Sequence, residues 1–157
     1  MKFIDVLGDF SEKIGLGRLE PDADGSVALL FDDLHEITFT PDADDGSLLM
    51  YCEIADADRL DREDLARLLK ASLLGAKTGG AAFAIHGALR KIVLWKRHDD
   101  SFSGVADLEN RVNAFLAQVI FWKEHLEDRP SENEEVPAPS SGIPETAAGF
   151  NFLSMSV

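Results

Sequence analysis

The stretch PDADGSVALLFDDLHEITFTPDADDGSLLMYCEI, residues 21–54, holds three short runs of alternating residues, Ser26 to Phe31, His35 to Thr40 and Ser47 to Ile54. Alternation with a period of two predicts strands. Pro21-Asp-Ala-Asp-Gly25 and Pro41-Asp-Ala-Asp-Asp-Gly46 bracket them, each combining a fixed proline φ, aspartates that bond their own backbone and a permissive glycine. In the first run Val27, Leu29 and Phe31 point one way and Leu30 the other; in the second, Ile37 and Phe39 alternate with Thr38 and Thr40. The third run is apolar on both faces from Leu48 to Cys52, and so is a later one, Ile92 to Trp95. A sheet with one face against helices needs only alternate residues apolar, so a second face must be covered by the long last helix, by a loop or by another chain.

Outward from these strands the period changes to that of a helix. Phe3, Leu7, Phe10 and Ile14 share one face of a helix expected over Lys2 to Ile14. A second helix is expected over Arg62 to Leu74, with Asp61 as N-cap, Leu60 stapled to Leu65, and Gly75 as its stop; its apolar face is Leu65, Leu68, Leu69 and Leu73 with Ala66. Two more strands are expected at Ala81 to His86 and Lys91 to Arg97. The last helix, Val105 to Leu126 with Ser103 as cap, carries Val105, Leu108, Val112, Phe115, Val119, Trp122 and Leu126 at alternating spacings of three and four. Leu116, Ile120 and Phe121 widen that stripe, so this helix should meet more than one surface. The order α, three strands, α, two strands, α predicts an α+β domain with a twisted, largely antiparallel five-stranded sheet packed by helices. It should occupy residues 1–128, and the Pro/Ser/Glu-rich residues 129–157 should be mostly disordered.

With 157 residues the chain is about one domain. Its 15 basic against 29 acidic residues give a net charge of −14, a field that repels phosphate backbones and anionic headgroups. Neither nucleic acid nor membrane is an expected partner. No apolar run approaches the ~20 residues needed to cross a bilayer, and residues 1–10 do not read as a secretory signal, so a cytoplasmic location is expected. The charge is uneven: residues 20–64 carry 15 acidic and 2 basic residues, whereas residues 65–98 carry 7 basic and no acidic ones.

Chemistry is sparse. His35, His86, His98 and His125 share no metal-ligand spacing, and no P-loop, GxSxG or GxGxxG is present. Neither Asp-rich turn has glycine at the sixth position of a calcium loop. Cys52 alternates with Met50 and Ile54, which reads as a buried inert thiol rather than a nucleophile paired with His86. No metal, no cofactor and no enzymatic activity are expected.

The ordered set Leu7…Phe10…Ile14-Gly-Leu-Gly17, Pro21 to Asp33, Glu36-Ile-Thr-Phe39, Leu68 to Leu73, Thr78-Gly-Gly80 to Ile85 and Phe121-Trp122…Leu126 resembles the class I type III secretion chaperones, the Tir chaperone family. The resemblance covers residues 1–128. It implies a small acidic cytoplasmic homodimer that holds an extended N-terminal segment of a secreted effector protein, with the secretion-system ATPase as a further candidate partner. By the same resemblance, Phe3, Leu7 and Phe10 with Leu30 and Phe31 would line the effector groove, and Leu65, Leu68, Leu69, Leu73, Phe83 and Ile85 would form the dimer contact. Ordinary core is the competing reading for each. The alternative function is a chaperone-like regulatory or scaffold module that binds a folded partner. Two departures stand out: Ser72 where the family often has Asn, and a long tail ending Gly149-Phe-Asn-Phe-Leu-Ser-Met155, an apolar end on a polar tether that could dock on the chain's own groove.

Overall fold

The computed structural model describes residues 3–15, 17, 19, 21–42, 44–99 and 101–127, with backbone alone for Phe3, Ile4 and Glu127. The elements run α1 (Phe3–Lys13), β1 (Val27–Phe31), β2 (His35–Pro41), β3 (Leu48–Asp56), α2 (Arg62–Ser72), β4 (Ala82–His86), β5 (Lys91–His98) and α3 (Val105–Glu127). All five strands join one antiparallel sheet in the order β1-β2-β3-β5-β4. The expected α+β order is therefore the observed one. The expectation for the tail lies outside the described residues.

Both Asp-rich segments are turns held by their own carboxylates. Asp24 Oδ1 accepts the Ser26 N–H at 3.1 Å, and Asp45 Oδ1 accepts the Ser47 N–H at 2.9 Å. The Ser47 contacts and the nearby Arg97 guanidinium hold the Asp45 carboxyl down at about 2.

One sheet face carries the core. Val27, Leu29, Ile37, Phe39, Leu48, Met50, Cys52, Ile92 and Leu94 are buried there together with Val6, Leu7 and Phe10 of α1 and Leu108, Val112, Phe115, Val119 and Trp122 of α3. The three-four stripe of α3 thus meets the sheet, while Leu116 and Phe121 on its flanks pack partly buried against the same core. A Lys13–Glu109 ion pair joins α1 to α3. Ser103 is not the cap of α3: the helix opens on the Gly104 carbonyl, which accepts the Asp107 and Leu108 N–H groups, and the Ser103 N–H instead donates to the Asp107 carboxylate at 3.2 Å.

Helix α2 begins as expected, with a reciprocal capping box between Asp61 and Asp64. Its end differs. The helix stops at Ser72 and a short 3₁₀ turn, Leu73–Gly75, follows, with Leu74 in the left-handed region at φ 55°. Ser72 explains where the next strand lands: its hydroxyl donates to the Leu68 carbonyl at 3.0 Å and accepts the Phe83 N–H at 3.0 Å, tying β4 to α2. Between them Gly75 and Gly80 cross so closely that a Cβ on Gly75 would lie 2.4 Å from the Gly80 Cα. Only glycine at a φ of +67° permits that crossing.

His98, at the end of β5, is held neutral down to about pH 4, first by burial and then by Lys96 and Arg111. Because the folded value lies below the unfolded one of 6.5, the unfolded chain binds the extra proton between these pH values. The contribution is complete above pH 6.5 and is lost as pH falls toward 4. After allowance for the partial exposure of the ring, it amounts to about 1–2 kcal/mol. Urea unfolding of His98→Gln between pH 7 and pH 4.5 should show a flatter dependence of stability on pH than the parent, and parallel curves would contradict the assignment.

Candidate functional site

Two surfaces and one cleft stand out from an otherwise closed fold. The first surface lies along α2. Leu65, Leu68 and Ala71 face inward, but Leu69, Leu73 and Leu74 are 70%, 69% and 82% exposed, and Ile85 of β4 is 58% exposed. Residues 73–81 connect α2 to β4, and the Phe83 N–H donating to the Ser72 hydroxyl holds the start of β4 against the end of α2. Four large apolar side chains are thus left exposed on the edge strand β4 and on the helix and turn tied to it, and exposed apolar surface of this kind marks interfaces.

The second surface is the other sheet edge. Among the described residues no strand pairs with the outer edge of β1. Leu30, facing away from the core, is 52% exposed, Leu34 in the β1–β2 turn is exposed too, and Phe31 is half-buried against the core. An open edge of this kind presents backbone donors and acceptors to an added strand, flanked here by apolar side chains.

The cleft lies between β2 and β3. Their pairing runs from Pro41↔Leu48 to Thr38↔Tyr51 and stops, although β2 continues against β1 to His35 and β3 continues against β5 to Asp56. Carrying the register two steps further would place Glu36 opposite Glu53 on the solvent face, and like charges directly opposite each other oppose pairing. The strands diverge around a concavity of about 380 Å³ lined by Leu34, Glu36, Thr38, Tyr51, Cys52, Glu53, His86, Leu89, Val93 and Lys123. Lys123, from α3, reaches the His35 ring at 3.3 Å. Burial and then this ammonium depress the His35 pKa.

Cys52 offers no nucleophile in that cleft. Burial pushes its thiol up to about 11, and the S–H donates to the Glu53 carbonyl at 3.4 Å. At neutral pH the thiolate fraction is negligible. An aromatic disulfide reagent at pH 8 should leave Cys52 unmodified in the native protein and react fully in ~6 M guanidinium; fast native labelling would contradict this. Among the described residues no His, Cys, Asp or Glu cluster could hold a metal ion, and no helix is long and apolar enough to cross a membrane.

The family model for Tir chaperone proteins (CesT) matches residues 5–123. The chain belongs to the Tir chaperone family. No curated protein matches it in sequence. A solved chain of the ExsC–ExsE complex superposes with a TM-score of 0.69 at 22% identity, covering 85% of this Tir chaperone family member and 100% of the solved chain. The Yersinia pestis type III secretion chaperone SycH, solved with a stable fragment of YscM2, gives 0.59 at 16% identity, covering 76% and 98%. The heterodimeric ExoU–SpcU complex from the type III secretion system of Pseudomonas aeruginosa gives 0.57 at 17%, covering 76% and 93%. At these identities the likeness shows a shared fold.

The site residues named from the resemblance divide into covered and open ones in the single chain. Leu7 and Phe10 are buried under α3 and the sheet, so they are core and do not line an open groove; the face of α1 that periodicity picks out is the face the fold consumes. Leu68 is likewise core, while Leu65 is half-buried against it. The Phe3 side chain lies outside the described residues. Phe83 is half-buried, edge-on to Trp122 with ring centroids 5.1 Å apart. Leu30, Leu69, Leu73 and Ile85 remain open, and Phe31 partly so. Sequence reading passed over Leu34, Leu74 and Leu89, which sit in turns where no periodicity marks them. The divergence of β2 from β3 was also missed, although its signal, two glutamates that a continuous register would oppose, is present in the sequence.

Proposed function

We propose that this Tir chaperone family member binds an extended segment of a secreted effector protein and keeps it competent for export, working as a homodimer in the cytoplasm. The observation that carries the reading is the open β1 edge with Leu30 and Leu34 beside it, on a chain whose family is one of chaperones. An extended client adds a strand there, drawing affinity from backbone hydrogen bonds and selectivity from alternate side chains. Leu30 and Phe31 are its contacts on this edge; Leu7 and Phe10 act beneath them as core. A similar fold, the Yersinia pestis type III secretion chaperone SycH in complex with a stable fragment of YscM2, supports a client of this kind. The patch of Leu69, Leu73, Leu74 and Ile85 is assigned to the second copy. The chain has no catalytic role in this reading, and contact with the secretion-system ATPase belongs to the same proposal through family membership alone.

Co-expression with N-terminal segments of secreted proteins encoded beside this gene, followed by co-purification and limited proteolysis, tests the reading. A bound stretch protected by the chaperone yet without a fold of its own is the expected result. Leu30→Glu should weaken that complex about 10-fold, since it puts a charge into an apolar contact. If only intact folded partners co-purify, the protein is a regulatory or scaffold module instead.

A further inference from the structure

We infer that the cleft between β2 and β3 is a slot for the chain's own segment Gly149-Phe-Asn-Phe-Leu-Ser-Met155, seated there as an extended strand. This goes beyond client binding, which is assigned to the outer edge of β1. The slot has the features of a strand acceptor. From His35 to Ile37 the paired partner of β2 is β1 alone, and from Cys52 onward that of β3 is β5 alone, so each strand turns an unpaired backbone edge toward the gap. The concavity is open to solvent past Leu34 on one rim and Leu89 on the other, both exposed, and Lys123 of α3 lies within it.

Chain geometry selects the occupant. Lys123 lies four residues before the end of α3 at Glu127, about 6 Å along the helix axis, so the polypeptide leaves the helix beside the slot. A flexible chain as long as residues 128–148 would span roughly 25 Å, enough to keep the segment near the slot at an effective concentration on the order of millimolar. The segment suits the site chemically. Strand geometry places Phe150 and Phe152 on one face and Asn151 on the other. The two rings supply apolar volume for the concavity, which Leu34, Leu89 and Val93 help to line. The segment is itself free of charge, whereas residues 128–148 before it carry Glu132, Glu134, Glu135 and Glu145, which would be repelled by the Glu36 and Glu53 carboxylates.

The full-length chain, alone and without added partner, carries the test. A nitroxide is attached at Ser154→Cys; Cys52, buried and protonated, stays unlabelled. Amide signals of Thr38, Glu53 and Val93 should broaden selectively, and the broadening should disappear when Phe150→Ser and Phe152→Ser are added. In the same double variant, without the label, hydrogen exchange of the amides of residues 36–37 and 52–54 that face the gap should speed at least 10-fold, while the rest of the sheet is unchanged. Absence of selective broadening, broadening centred instead on β1 or α2, or rates indifferent to the two phenylalanines would each overturn the inference.

Discussion

Replacing Leu69 and Leu73 together by lysine should convert a dimer into a monomer at about 10 µM in sedimentation velocity, with helix content nearly unchanged and an unfolding midpoint that no longer rises with protein concentration. Leu69 lies in the last turn of α2 and Leu73 in the 3₁₀ turn directly after it, each about two-thirds exposed in the single chain. In a two-fold contact both appear twice, so four leucines leave water, at roughly 1.5–3 kcal/mol for each that is fully buried. Four ammonium groups in their place lose that gain and repel one another. A weakening of at least 10³-fold in association follows, about 4 kcal/mol. Lysine is the informative choice because it is a good helix former and is favoured near a helix C-terminus, so the substitution spares α2 itself. Surface changes of this kind typically move stability by about 0.5 kcal/mol. A parent chain that is already monomeric, or a variant of unchanged mass, would remove α2 from the dimer contact.

The second large effect separates core from groove. Phe10→Ala should cost about 3–5 kcal/mol of folding free energy in urea titration, because the ring is buried between α1, α3 and the sheet and its removal leaves a cavity. Leu30→Ala, on the open face of β1, should cost under about 1 kcal/mol while weakening the complex with a client. Were Phe10 part of an open groove, as the resemblance suggested, its truncation would leave stability intact and lower affinity alone. The pair of measurements therefore assigns each residue to packing or to recognition.

The charge pattern bears on both surfaces. Residues 20–64, net acidic, build β1 to β3, whereas the basic excess of residues 65–98 spans α2, β4 and β5. Several of these charges pair across the fold: Arg97 with Asp42 and Asp45, Lys91 with Asp56 at 2.5 Å, and Arg90 with Asp58 through its Nε at 2.8 Å. These exposed pairs contribute little stability each, yet they bring the basic hairpin β4–β5 against the acidic strand β3 and its following turn.

Most of the architecture was legible because it depends on local pattern. Two-residue alternation with Asp-Gly turns, the three-four stripe of α3 and the Asp61 cap act within a few residues of one another, and the elements stand where these patterns predict, apart from the end of α2 at Ser72 and the start of α3 at Gly104. What the sequence could not say is which member of an apolar stripe ends up covered. Leu68 and Leu69 are neighbours of one residue type, and Leu7 and Leu30 are equally apolar, yet one of each pair is buried and the other open. That outcome depends on where α3 crosses the sheet and on where Ser72 anchors β4, contacts between residues far apart in the chain. The slot between β2 and β3 has the same origin: Glu36 and Glu53 are unremarkable singly, and they part the strands only when a non-local register brings them face to face.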